Sequence, residues 1–156
     1  MGSFAFTSAC VIAVIGITSL LMYEALRMSW RVMALSGQRH GRILYALGAA
    51  FLVHVISIWI YGFLYFFLSR YANVGTLAIV DRPETHDGFS LLLCAYFSAA
   101  TYTSLGFGDV IPTGDIRMVA GAEALNGLLL IGWSVTFSFL AMEEFWERPS
   151  GGRGRS

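Results

Sequence analysis

The chain of 156 residues is 56% hydrophobic and only 13% charged, which leaves too little polar surface for an ordinary soluble domain and points to a membrane protein. Its ten basic residues, all Arg, balance ten acidic ones, and no polybasic block addresses a nucleic acid. Three nearly uncharged stretches use about half of the length, so no separate soluble module fits, and any ligand-sensing domain is expected on another chain.

Residues 1–26 are expected to form an N-terminal transmembrane helix. Met1 to Tyr23 carries no charge, and at about 1.5 Å per residue it spans about 35 Å, enough for a hydrocarbon core of roughly 30 Å. A cleaved signal peptide would place positive charge before its apolar core, whereas Arg27 and Arg31 follow it, so the segment is expected to remain in the mature protein. Ser8-Ala9-Cys10 is no lipoprotein box, because Cys10 precedes most of the apolar run. Cys10 and Cys94, far apart in apolar runs, read as small buried side chains. Residues 27–42 carry Arg27, Arg31, Arg39 and Arg42 and read as a basic cytoplasmic loop facing solvent or anionic headgroups.

The second span is expected over 43–69. It is uncharged, and Trp59, Tyr61, Phe63, Tyr65, Phe66 and Phe67 crowd its far end as interfacial packing. Within it His54 reads as a satisfied interhelical donor in preference to a proton sensor or haem ligand. No other histidine shares its span, since His40 falls in the basic loop and His86 after the span. The third span is expected over 116–142, with Glu123 the one charge between Met118 and Met142, followed by a polar tail, 143–156, expected to be disordered. No Arg recurs every third residue within a span, which excludes a voltage sensor.

Residues 88–108 are also uncharged and long enough for a fourth crossing. Arginine placement bears on the choice. A dip that returns to the same side puts seven Arg on one side and three on the other, whereas a crossing splits them five and five. Because positive residues accumulate on the cytoplasmic side, the dip is preferred, with the N-terminus outside and the C-terminus inside. The dip changes character midway. Phe89 to Phe97 is apolar and reads as a short helix, whereas Gly106 and Gly108 flank one residue and let the backbone alternate in handedness, turning successive carbonyls to one side. Non-helical backbone at membrane depth persists only when packed in protein or lining a water-filled path.

Thr101-Tyr102-Thr103-Ser104-Leu105-Gly106-Phe107-Gly108-Asp109 resembles the signature of potassium channels, T-x-T-T-V-G-Y-G-D, and the likeness extends through Val110-Ile111-Pro112-Thr113. As architecture it covers residues 43–142 and is similar to the two-helix pore of prokaryotic potassium channels, with the first span outside it. The resemblance implies an all-α membrane protein: three transmembrane helices plus a re-entrant pore helix (88–103) and a selectivity-filter loop (104–108), between an outer helix (43–69) and an inner helix (116–142). It implies that carbonyls of Ser104, Leu105, Gly106 and Phe107 replace the water shell of K⁺, with Gly108 completing the loop and Thr101, Thr103 and Asp109 supporting it. The helix before the loop would turn the negative end of its dipole to the central cavity. One filter segment per chain implies a homotetramer with three identical subunits, set in lipid in the plasma (inner) membrane, with K⁺ as permeant ion, no cofactor, and room for a separate regulatory subunit.

Three positions depart from the family pattern. Phe107 replaces the commoner Tyr, Tyr96 and Phe97 stand where several members carry a Trp pair, and Ala100 stands where some carry a Glu paired with this Asp. Asp109 is therefore expected to find water, a backbone group or nothing. Glu123, Asn126 and Gly127 share one helix face. Glu123 is read as a structural carboxyl in preference to a functional one, and Asn126 is evenly balanced. Gly127 and Gly132 serve equally as gating hinges or close-packing sites. No nucleophile–base pair, phosphate loop or metal cluster is visible, which disfavours an enzyme. The alternatives to a potassium channel are a weakly selective cation pore and a small membrane-anchor or assembly subunit.

Overall fold

The computed structural model describes the backbone of residues 2–35, 39–80 and 90–146, and the side chains of 4–32, 44–80 and 90–143. It is mostly helical. Three helices contain stretches long and apolar enough to cross a membrane: Phe4–Val32, Leu44–Ala72 and Ile116–Glu143.

Helix α1 (Gly2–Leu35) buries Thr7, Val11, Thr18, Met22, Leu26 and Ser29, a stripe spaced by three, four or seven residues. Small and hydroxyl-bearing residues in that stripe let neighbouring helices approach. The other faces expose Ile12, Ile17, Leu20 and Met28, which suits lipid and not water. Helix α2 (Arg39–Phe67) follows the same rule, burying Ala46, Ala50, Val53, Ser57, Tyr61, Leu64, Tyr65 and, in a wider terminal π turn (Leu68–Ala72), Leu68. Asn73, at φ 49°, ends that turn in the left-handed region.

Side-chain pairs fix the helix directions. Between α2 and α4 (Ile116–Trp146), His54 meets Ser134, Tyr61 meets Asn126 and Tyr65 meets Glu123, so these two helices are antiparallel. Between α1 and α4, Thr18 meets Asn126, Tyr23 meets Trp133 and Trp30 meets Phe137, so these two run parallel.

Helix α3 (Leu91–Tyr102) begins where Ser90 Oγ accepts the Leu93 N–H at 3.2 Å. It packs on α2 because Gly62 has no side chain: a Cβ there would stand 3.0 Å from Ala95 Cα. Its other end abuts α4 at Gly127, where a Cβ would collide with the Tyr102 carbonyl. The helix runs inward from the level of Tyr65, which packs on Phe97, to that of His54, which meets Tyr102. The chain then turns back, and the Asp109 carbonyl accepts the Val80 N–H at 2.9 Å at the end where α3 began.

That return is fastened by strands β1 (Leu77–Ile79) and β2 (Val110–Pro112), antiparallel with Leu77 opposite Pro112 and Ile79 opposite Val110. Bonds from Val80 to Asp109 and from Thr113 to Thr76 extend the ladder. They make Leu77–Pro112 a pair that exchanges no hydrogen bonds, which suits a residue without an N–H.

Several expectations change. The chain is not wholly α, because the segments flanking the 81–109 excursion are β-branched or apolar and pair their exposed backbone groups with each other. The 27–42 stretch is not all loop: α1 continues to Leu35 and α2 starts at Arg39, since nothing between residues 27 and 35 breaks a helix. The outer helix ends at Phe67, with the π turn carrying it on to Ala72. The short helix covers 91–102 rather than 88–103, and α4 passes the expected end at 142 to reach Trp146. Residues 81–89 with His86, the His40 side chain and the tail from 147 lie outside the described residues.

Candidate functional site

The site is built on the C-terminal end of α3, where the last helical carbonyls have no partner further along the helix. The following loop supplies partners. Thr103 N–H donates to the Ala99 carbonyl at 3.3 Å and Ser104 N–H to that of Thr101 at 2.9 Å. Leu105 and Gly106 N–H both donate to the Ala100 carbonyl, at 2.9 and 3.2 Å. Thr103 Oγ1 adds a bond to the Ala99 carbonyl at 2.7 Å. With the N–H groups of Thr103 to Gly106 turned back onto α3, the loop directs its carbonyls elsewhere. Among the described residues, no backbone N–H donates to the carbonyls of Ser104 to Phe107.

The backbone alternates. Ser104, Gly106 and Gly108 have φ of 57°, 55° and 80°, whereas Leu105 and Phe107 between them do not adopt positive φ. Glycine meets this demand without a Cβ penalty at two of the three positions; Ser104 meets it despite one. All residues from Thr103 to Asp109 are exposed, and nothing lies within 4 Å of a Cβ built on Gly106 or Gly108.

The loop's outer end is braced from α3. The Phe107 ring lies parallel to that of Tyr96, at 4° and 6.3 Å between centroids, and the Tyr96 hydroxyl donates to Asp109 Oδ2 at 2.7 Å. Asp109 Oδ1 accepts the Val110 N–H at 3.1 Å. The expected backbone partner of Asp109 is thus present, but a side chain joins it, from Tyr96, one helical turn before Ala100. Tyr96 sits at a position noted only for lacking Trp, and its hydroxyl, aimed past an apolar helix face, was the available signal.

Beneath the loop, three polar clusters join the helices. Glu123 is fully buried and accepts from Tyr65 through Oε2, with Ser98 Oγ at Oε1, both at 2.5 Å. Ser98 has one hydroxyl hydrogen and also lies 2.8 Å from the Ile58 carbonyl, which can only accept. Both contacts are satisfied together when the carboxyl carries a proton and gives it to Ser98, leaving Glu123 a neutral acid that ties α2, α3 and α4 together. Asn126 Nδ2 donates to Thr18 Oγ1 at 2.9 Å and to the Tyr61 hydroxyl at 3.1 Å, which fastens α1 to α2 and α4. His54 bridges the Tyr102 hydroxyl at 2.9 Å and Ser134 Oγ at 3.0 Å. Gly127 is a close-packing site, whereas a Cβ on Gly132 would meet nothing within 4 Å. Sequence periodicity placed Glu123, Asn126 and His54 in helices but carried no trace of Tyr65, Ser98, Tyr61, Thr18 or Ser134 as their partners, which lie 25 or more residues away. Among the described residues no three His, Cys, Asp or Glu side chains gather as a metal site requires.

Three apolar spans, two of them packed on a short helix, and a glycine-bearing loop folded back on that helix define a multi-pass membrane protein with an exposed backbone-lined site. A family model described as ion channel matches residues 50–144, more than half of the chain, and the chain belongs to that ion channel family. It is also 31% identical over 70 residues, 42% of its length, to two-pore potassium channel 1 of Arabidopsis thaliana. That stretch is 19% of the relative, so the chain matches about a fifth of it. No solved structure matches the chain significantly.

Proposed function

We propose that four copies of the chain surround one axis and form a pore that passes K⁺ in preference to Na⁺. In this reading the carbonyls of Ser104, Leu105, Gly106 and Phe107 replace the water around the ion, and α3 with its loop is a re-entrant pore helix and filter. The observation that carries it is the alternation of handedness at Ser104, Gly106 and Gly108 with the N–H groups of Thr103 to Gly106 bonded back to α3, an arrangement that frees a row of carbonyls for a cation. One chain cannot encircle an ion, hence the tetramer. The likeness to the Arabidopsis potassium channel supports the choice of K⁺. No cofactor is required, since binding and release of the ion need only backbone oxygens. The seven-to-three division of Arg supports an orientation with the N-terminus and the loop after α2 outside and the tail inside the plasma membrane.

Reversal potentials in reconstituted bilayers under bi-ionic K⁺/Na⁺ conditions test the proposal. A strongly shifted potential is expected. A value near zero favours a weakly selective cation pore. A protein that is a stable dimer or monomer in nanodiscs and passes no current favours an assembly subunit.

A further inference from the structure

Tyr102 is the last residue of α3, immediately before the loop, and it is held twice. Its carbonyl rests on α4 at Gly127, where no side chain fits, and its buried hydroxyl meets His54 of α2. His54 in turn meets Ser134 of α4. The hydrogens in this chain have an order. Ser134 Oγ donates to the Ile131 carbonyl at 2.9 Å, so its oxygen accepts from His54 Nε2–H. His54 Nδ1 is then free to accept from Tyr102. The ring is also held edge-on to that of Tyr102, at 66° and 5.8 Å.

Tyr102 is thus tied to α4 at two places seven residues apart, directly at Gly127 and through His54 at Ser134, about 10 Å along the helix. Gly132 lies between them with open space at its Cβ position, the point in that stretch where bending meets least resistance. A bend there moves Ser134 relative to Gly127, and His54 must follow or release one of its hydroxyls. We propose that His54 is a positioning residue that transmits bending of α4 at Gly132 to the end of α3, and so to the backbone at the base of the 104–108 loop. The inference rests on the pore reading above, and it assigns to α2, outside the ion path, a part in coupling the inner helix to the filter.

The test is a double-mutant cycle on single-channel open probability in planar bilayers. Tyr102→Phe and Ser134→Ala each remove one hydroxyl at opposite ends of the relay and do not touch each other. Each is expected to shift the open–closed ratio several-fold, with the double variant no worse than the larger single, a coupling of about fivefold or more. In a His54→Leu background the coupling should vanish, and His54→Gln, which keeps one acceptor and one donor, should restore it; loss of packing alone would not follow this pattern. Conducting variants whose effects simply multiply, or a coupling that survives His54→Leu, overturn the inference and leave the pore reading standing. Absence of current from the wild-type tetramer overturns both.

Discussion

The hydroxyl of Tyr96 donates to the carboxylate of Asp109 at 2.7 Å, across thirteen residues that include the whole 104–108 loop. The bond closes the loop as a ring fastened at its outer end, and the Phe107 ring stacked on Tyr96 fills the space inside that closure. On that side the Val80 N–H on the Asp109 carbonyl and the β1–β2 pair hold the returning backbone, and the Tyr96–Asp109 bond ties it to α3.

Tyr96→Phe keeps the stack and removes the bond, whereas Asp109→Asn, whose amide oxygen still accepts, weakens it. Both should leave ion preference intact and speed the decay of current during sustained conduction. The double variant should decay no faster than Tyr96→Phe alone. Additive effects in bilayer recordings would show that the two residues act through different partners.

Gly106→Ala and Gly108→Ala meet no steric neighbour among the described residues, so their cost is the backbone itself, about 1–2 kcal/mol for each L residue forced into the left-handed region, repeated in every copy. Selective flux should be lost in both. Ser104 already bears a Cβ at φ 57°, so Ser104→Ala should conduct, with weaker binding only at the inner end. Reversal potentials and blocker affinity measure the contrast.

Glu123→Gln should be nearly neutral, because an amide donates to Ser98 and accepts from Tyr65 as the protonated carboxyl does. Glu123→Ala orphans the buried Tyr65 hydroxyl and opens a cavity, and should cost about 2–3 kcal/mol per chain. Thermal dissociation of the detergent-solubilised assembly, followed by size-exclusion chromatography, should order the variants wild type, Gln, then Ala. A Gln variant as weak as Ala would exclude the neutral-acid assignment.

Gly127→Ala drives a methyl group into the Tyr102 carbonyl and should cost about 1–3 kcal/mol with loss of assembled protein. Gly132→Ala meets open space and should assemble normally. Equal yields from the two in the same chromatographic assay would refute the close-packing role of Gly127.

The sequence by itself determined the membrane setting and the three spans, and it marked the glycine-bearing loop as the candidate site. Each depends on local properties: charge-free length, helical periodicity, and the glycines at 106 and 108 that permit positive φ. It also marked Glu123, Asn126 and His54 as polar groups in an apolar setting, because such residues stand out by composition alone. What each of them touches was decided only by the tertiary structure. Ser98 reaches Glu123 because α3 packs on α2 at Gly62 and on α4 at Gly127, Tyr96 of the same helix reaches Asp109 where the loop returns, and Thr18 and Tyr61 reach Asn126 where α1, α2 and α4 pack together. The β1–β2 pairing likewise joins segments more than thirty residues apart, and its register follows from where the loop returns. Hydrogen bonds between distant segments have no periodicity to read. They are selected by burial, since a polar group held away from water stays stable only beside whichever partner the packing brings to it.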